Sequence, residues 1–264
     1  MPYSKEQDKI DRRLNGFATQ SFRDQADRDY IAARMACRAE LWPQFLWSTQ
    51  QAIEKYLKAI LLYNRVPARK VSHDITVALQ LAEAMPKGPF AIELSARSRV
   101  FIGHVATYGQ NRYIETPYFV SGHVLTDLDL AVWELRRYCQ ALNVSGKVLP
   151  PSEKKFLLQA LSNLAMSELK PRYKFRIHGG FLEEILNSRK HPARSALLWN
   201  NATYGSRKRA TVRVRDHMAG ENPVLYNYPE ILDELLKYVS LPSKLEQAYR
   251  QHQAAVSANP GKRP

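Results

Sequence analysis

The strongest constraint on the fold is a helical hydrophobic period that continues through the first half of the chain. Between residues 25 and 142, apolar residues recur at steps of three and four, and glycines are few. One stripe, which should end near Asn64, contains Trp42, Phe45, Leu46, Ile53, Tyr56, Leu57, Ile60 and Leu61. Further helices are predicted after a cap at residues 72–74, over about residues 90–108, and over residues 125–142. The pattern predicts an up-and-down antiparallel helix bundle.

The period changes after a turn signal at Gly146, Pro150 and Pro151. A helix should begin at Ser152, and beyond it two segments, 172–177 and 212–215, alternate apolar and basic residues as half-buried strands do. The chain is therefore expected to be mainly α, with a small α+β domain following the bundle. The predicted boundaries are a bundle at residues 1–148, a small basic α+β domain at residues 152–252, and a disordered tail at residues 253–264.

The basic charge is concentrated in one part of the sequence. Lys and Arg number 39 against 25 Asp and Glu, and residues 170–215 hold twelve basic residues against two acidic ones. Basic residues among aromatics suit single-stranded nucleic acid, whose phosphates and bases they can hold. The candidate contacts are Arg172, Lys174, Arg176, Arg207, Lys208, Arg209, Arg213 and Arg215. An aromatic row facing the core with a solvated basic face explains the same residues equally well.

Several classes of site and location are not indicated by the sequence. Cys37 and Cys139 are the only cysteines, and no histidines and acids have a usual metal-ligand spacing. No Walker loop or dinucleotide fingerprint occurs. No apolar run reaches the length of a membrane helix, and the N-terminus lacks a signal-peptide core. We therefore expect a cytoplasmic protein without metal, cofactor or membrane association.

Two short motifs and a turn carry a resemblance to a known family. One helix has Gln50, Gln51, Ala52, Glu54, Lys55, Lys58 and Ala59; the next turn has Ser72, His73, Asp74 and Ile75; and Asn111, Arg112 and Tyr113 precede the last bundle helix. In this order, they resemble the HEPN family (higher eukaryotes and prokaryotes nucleotide-binding) over about residues 24–143. The resemblance implies a bundle of about four or five helices that often dimerises.

The same resemblance implies ligands and contact residues. It points to RNA or a nucleotide as ligand, to a homodimer, and to an antitoxin protein as a candidate partner. The implied contacts are Gln51, Glu54, Lys55, Lys58, His73, Arg112 and Tyr113. Read without the family, the residues from Gln51 to Lys58 form a polar helix stripe that is typical of a solvated face. In the same way, His73 alone would be read as part of a helix cap.

The ribonuclease branch of this family uses an arginine followed, after four to six residues, by a histidine. The chain offers Arg99 and His104 with four residues between them, and Arg97 and His104 with six. On a helix, Arg97 and His104 share a face, whereas Arg99 diverges from His104 by about 140° unless the helix breaks at Gly103. A histidine can move a proton near neutral pH, and a fixed cation can stabilise charge on a phosphate. Arg99 is followed by Val100 rather than by the polar residue of active relatives, so a histidine without a catalytic role is the alternative.

Three functions therefore remain open at the level of sequence. The leading one is a HEPN-like protein that binds RNA, a nucleotide or another polyanion through its basic C-terminal part, in a toxin–antitoxin or defence system. The first alternative is a metal-independent endoribonuclease that uses Arg97 or Arg99 with His104. The second alternative is a non-catalytic dimeric interaction module.

Overall fold

The computed structural model describes residues 5–69, 71–85, 91–109, 117–143, 151–169, 171–205 and 215–258. Within these residues the protein is mainly helical and carries one two-stranded antiparallel sheet. The prediction of a mainly α protein built on a helix bundle is confirmed. None of the helices in the described part of the chain is both long and apolar enough to cross a membrane.

The bundle begins with a nearly continuous helical arm. Helix α1 (Lys5–Phe17) passes into a π-helix (Ala18–Arg23) and then into α2 (Asp24–Arg38). A short turn leads to α3 (Trp42–Tyr63), which packs along α2. Helix α3 ends where the sequence predicts, because the Asn64 side chain donates to the Ile60 carbonyl at 2.8 Å. The short α2–α3 connection makes these two helices antiparallel neighbours.

The remaining bundle helices have clear end signals. Helix α4 (Ile75–Glu83) begins after Asp74, whose carboxylate accepts from the backbone of Thr76 at 2.9 Å and of Val77 at 3.2 Å. Helix α5 (Ala96–Tyr108) begins after Ser95, later than the predicted residue 90. Strand β1 (Tyr118–Gly122) leads into α6 (Val124–Arg136).

Helix α6 is shorter than its hydrophobic period predicted. The chain turns after Arg136, where the Cys139 amide donates to the Arg136 carbonyl at 2.9 Å instead of continuing the helical pattern. Cys139 and Leu142 are nevertheless buried. The apolar spacing therefore predicted which residues enter the core but not where the helix ends.

The C-terminal half supplies more short elements. They are α7 (Pro151–Ala165), a 3₁₀ turn (Arg172–Lys174), α8 (Phe181–Asn187), α9 (Arg194–Leu198), β2 (His217–Glu221), α10 (Val224–Asn227), a 3₁₀ turn (Pro229–Ile231), α11 (Leu232–Leu235) and α12 (Ser243–Ala258). Helix α12 includes residues 253–258, which were predicted to be the start of a disordered tail. Residues 259–264 lie outside the described part.

The predicted strand at residues 172–177 is wrong. Phe175 and Ile177 are buried, and the basic residues that alternate with them, Lys174 and Arg176, are exposed, so the alternation is correct for burial. No neighbouring strand pairs with this segment among the described residues; instead, the Ile177 amide donates to the Glu183 carboxylate at 3.0 Å. The second predicted strand lies largely within residues 206–214, outside the described part.

The observed sheet joins the two halves of the chain. Strands β1 and β2 pair antiparallel, with Tyr118 opposite Glu221 and Gly122 opposite His217. One hydrophobic core extends from Ala18 to Tyr204 and includes residues of α7, α8 and α9. A second, smaller cluster forms around Leu225, Leu232 and Tyr249. The domain boundary at residues 148–152 stays a prediction. Because α7, α8 and α9 contribute to the hydrophobic core of the bundle, these three helices pack as part of it.

Candidate functional site

A cleft of about 370 Å³ lies between α5, β1 and α6. Its wall includes Arg97, Val100, His104, Ser121, Val124 and Asp127. Arg97 and His104 therefore line the same cleft, as their seven-residue spacing on one helix predicts. Arg99 is not among the residues that line it.

Arg97 and Arg99 have different partners. The Arg97 guanidinium donates through Nε to Asp127 Oδ1 and through Nη2 to Thr126 Oγ1, the latter at 3.0 Å. Arg99 instead donates to Glu83 Oε1 at the end of α4. Both side chains are about half exposed, at 50% for Arg97 and 45% for Arg99. The structure thus separates the two arginines and leaves Arg97 beside His104.

His104 has a buried ring nitrogen without a partner. This nitrogen is Nε2, which makes no hydrogen bond to a described residue. Burial lowers the pKa of His104, although an interaction of the ring with the Phe119 backbone acts in the opposite direction. The Tyr108 ring packs with its centroid 4.8 Å from that of His104.

The polar stripe of α3 forms a compact ionic cluster. Glu54 is buried and accepts from Lys58 Nζ at 2.6 Å, and His73 Nδ1 lies 3.2 Å from the same carboxylate. Lys55 pairs with Asp29 of α2 at 2.5 Å, a partner that the sequence did not indicate. Gln51 is half-buried on the same helix. Lys58 and His73 thus both contact the Glu54 carboxylate, so three of the residues implied by the family resemblance lie together.

The predicted nucleic-acid contacts are only partly within the described chain. Arg172, Lys174, Arg176 and Arg215 are exposed. The Arg172 guanidinium lies over the Trp133 ring, 5.0 Å from its centroid, and Arg176 donates to the Phe175 carbonyl at 2.8 Å. The predicted contacts Arg112, Tyr113, Arg207, Lys208, Arg209 and Arg213 lie outside the described residues.

The sequence did not reveal a buried ionic network that connects the bundle to α8. Arg136 donates to Asp27 at 2.7 and 2.9 Å and to Glu183 at 2.9 and 2.7 Å, and Tyr56 donates to Asp27 at 2.6 Å. Burial favours a raised pKa for Glu183, but the Arg136 charge and its hydrogen bonds outweigh burial and lower that pKa. In the sequence, the feature that could have indicated this network is Arg136, a charged residue within the apolar stripe of α6.

A second buried pair lies between α2 and α6. Arg34 donates to Asp129 and to the carbonyl of Trp199, and it also donates to the Ala196 carbonyl at 3.1 Å. Tyr30 donates to the same Asp129 carboxylate at 2.6 Å. Burial raises the pKa of Asp129 despite the adjacent arginine. These groups are too enclosed to meet a substrate and instead connect the bundle to the segment around α9.

No group of three or more His, Cys, Asp or Glu residues in the described part of the chain is arranged to hold a metal ion. The two cysteines, Cys37 and Cys139, are buried and free. Burial raises the pKa of the Cys37 thiol to about 12, so this group is not a nucleophile at neutral pH.

Comparison with known proteins identifies the helical part. Residues 19–115 match the family model described as HEPN domain. A search of curated proteins and a search of solved structures each gave no match. The matched residues extend from the π-helix through α5 and include both Arg97 and His104. Over residues 19–115, the chain is therefore similar to HEPN domains.

Proposed function

We propose that the protein binds RNA and cleaves it without a metal ion at the cleft lined by Arg97 and His104. A HEPN domain indicates a function related to nucleotides or RNA. The observation that carries the proposal is the placement of these two side chains in one cleft, with His104 Nε2 lacking a partner. A buried polar atom without a hydrogen bond is costly, and a ligand group that bonds to Nε2 would remove that cost.

The surroundings of His104 suit a general base. In the tautomer that this role requires, neutral imidazole carries its proton on Nδ1 and its lone pair on Nε2, the nitrogen without a partner. The lowered pKa keeps the ring neutral at pH 7. Nε2 can then take the proton from a ribose 2′-hydroxyl as its oxygen attacks the adjacent phosphorus. The P–O5′ bond breaks, leaving a 2′,3′-cyclic phosphate, and the departing oxygen takes a proton from water. The hydroxide that remains takes the proton held by His104, which returns the imidazole to its neutral form.

Arg97 suits the phosphate. Asp127 and Thr126 hold the guanidinium through Nε and Nη2, and Nη1 makes no hydrogen bond to a described residue. A fixed guanidinium can bind non-bridging phosphate oxygens and stabilise the charge that develops on them. Because its orientation is set before substrate binds, little reorganisation is needed in the transition state.

Access to His104 requires a local movement. Its Nε2 is shielded from solvent, and the rings of Tyr108 and Phe119 lie 4.8 and 6.4 Å from the His104 ring, centroid to centroid. Substrate binding must therefore displace a side chain of the cleft wall. Val100 on the same wall is 75% exposed, which suits a homodimer that buries this face or an antitoxin protein that covers it.

The test is RNA cleavage by the full-length protein in the presence of EDTA. We expect His104→Ala to lower the rate by about a hundredfold or more, the usual effect of losing a general base. The matched control is His178→Ala, because His178 is exposed and does not line the cleft. Thermal unfolding checks that each variant is folded. Undiminished cleavage by folded His104→Ala would contradict the proposal.

RNA binding without cleavage is the second candidate function. The observation that favours it is the exposure of Arg172 and Lys174 beside the buried Phe175 and Ile177, which leaves a basic face on the surface. Binding of RNA by a protein that leaves it intact under all conditions would favour this second function.

A further inference from the structure

A second cavity, of about 440 Å³, lies at the C-terminal end of α3 beside the π-helix. Phe22, Lys58, Leu62, Val66, Pro67 and Arg69 form most of its wall. None of these residues lines the Arg97–His104 cleft. The volume is within the range of about 300–1,000 Å³ that is typical of small-molecule sites.

The charged residues of this cavity are all basic. Lys58, Arg65 and Arg69 line it, and no Asp or Glu is among its described wall residues. Arg65 is already occupied, because it donates to the Asp11 side chain at 3.2 Å, to the Asp11 carbonyl at 3.0 Å and to the Leu62 carbonyl at 2.7 Å. These bonds fix its charge beside the cavity.

The other two cations have hydrogens to donate. Lys58 gives one bond to Glu54 at 2.6 Å, so its ammonium retains two further hydrogens. Arg69 is exposed and makes no hydrogen bond or ion pair within the described part of the chain. An anion between these two side chains would receive charge-assisted hydrogen bonds from both.

The rest of the wall is apolar and includes an unusual backbone feature. Phe22, Leu62 and Val66 are apolar residues packed against the core but not fully buried. Phe22 belongs to the π-helix, a conformation that is rare and frequently occurs at functional sites. A ligand with an apolar group next to its anion would cover this wall.

We propose that this cavity binds a small organic phosphate, with the phosphate between Lys58 and Arg69 and an apolar or aromatic group against Phe22 and Leu62. A phosphate monoester carries about two negative charges at pH 7, and its oxygens can accept hydrogen bonds from both cations that have free donors. The site uses different residues from the cleavage cleft and does not depend on RNA cleavage.

The experiment titrates full-length protein with phenyl phosphate by isothermal titration calorimetry. We expect saturable binding, and binding weaker by about tenfold or more for inorganic phosphate, which lacks the apolar group. Arg69→Gln should weaken phenyl phosphate binding by about tenfold, because it removes a charged donor that makes no ion pair with a described residue. The matched control is Lys244→Gln, an exposed cation outside the cavity, which should bind as the parent protein does.

Three results would overturn the proposal. They are the absence of binding at millimolar phenyl phosphate, equal binding by Arg69→Gln and the parent protein, and equal affinity for phenyl phosphate and inorganic phosphate. Arg69 is exposed, so loss of folding does not complicate this variant. Each of these outcomes is a measurement of ligand binding, so none of them depends on whether the protein cleaves RNA.

Discussion

Arg136→Met should destabilise the protein strongly, because Arg136 is the centre of the buried network between α2, α6 and α8. The side chain is 1% exposed and makes four hydrogen bonds to the carboxylates of Asp27 and Glu183, at 2.7 to 2.9 Å. Methionine occupies much of the arginine's apolar volume but cannot donate. The substitution therefore leaves two buried carboxylates that have lost their cation.

Removing one partner of a buried ion pair typically costs about 3–5 kcal/mol. A chain of this size loses about 2–4 °C in Tm for each kcal/mol, so we expect Tm to fall by about 6–20 °C. The loss should depend on pH. In the parent protein the lowered pKa of Glu183 contributes stability above its unfolded pKa, and that contribution is lost as the pH falls. In the variant, burial without Arg136 favours the protonated acid, so the difference between the two proteins should be larger at pH 7 than at pH 4.

Urea and thermal unfolding followed by circular dichroism measure this effect. Lys237→Met is the matched control, since it also replaces a cation by methionine but in an exposed pair with Glu234. Exposed pairs contribute little, so its midpoint should not move measurably. An unchanged midpoint for Arg136→Met, or the same loss at pH 4 and pH 7, would refute the assignment of a stabilising buried network.

Three further predictions concern the surface, the backbone and the pH dependence. If the exposed basic segment contacts RNA, changing Arg172 and Lys174 to Glu should make the slope of log affinity against log salt shallower by about 1.4, because each lost phosphate contact accounts for about 0.7. Filter binding measures this slope, and an unchanged slope would count against the contact. Gly180→Ala should cost about 1–3 kcal/mol in urea unfolding, because its Cβ would lie 2.1 Å from Glu183 Oε2; unchanged stability would mean that the loop adapts. In cleavage assays, kcat/KM should fall with acid pH at a midpoint below 6.5, because the base must be neutral and burial lowers the pKa of His104; a midpoint above 6.5 would exclude this environment for the base.

Much of the bundle could be predicted because its signals are local. Apolar spacing together with Asn64 determined where α3 lies, and Asp74 marked the start of α4. The predicted strand at residues 172–177 failed because alternation reports which residues face the core, whereas a strand also needs a backbone partner. Among the described residues no strand pairs with this segment, and the amide of Ile177 bonds to a side chain instead.

The candidate site shows the same contrast between local and distant information. The seven-residue spacing of Arg97 and His104 on one helix was sufficient to place them in one cleft. Their partners Asp127 and Phe119 come from other elements, so the held guanidinium and the fixed imidazole could not be predicted. The Arg136 network was missed for the same reason, because its partners are 109 and 47 positions away in the sequence.

The most direct test compares Arg97 with Arg99, which are two positions apart on the same helix and similarly exposed. The measurement is the single-turnover rate of RNA cleavage by Arg97→Gln and by Arg99→Gln, with EDTA present and folding checked. Because Arg97 lines the cleft with His104 and Arg99 does not, the loss of Arg97 should lower the rate by about a hundredfold or more, while the loss of Arg99 should change it by less than about threefold. Equal effects of the two substitutions, or a larger effect for Arg99, would contradict the assignment of the cleft as the site of cleavage.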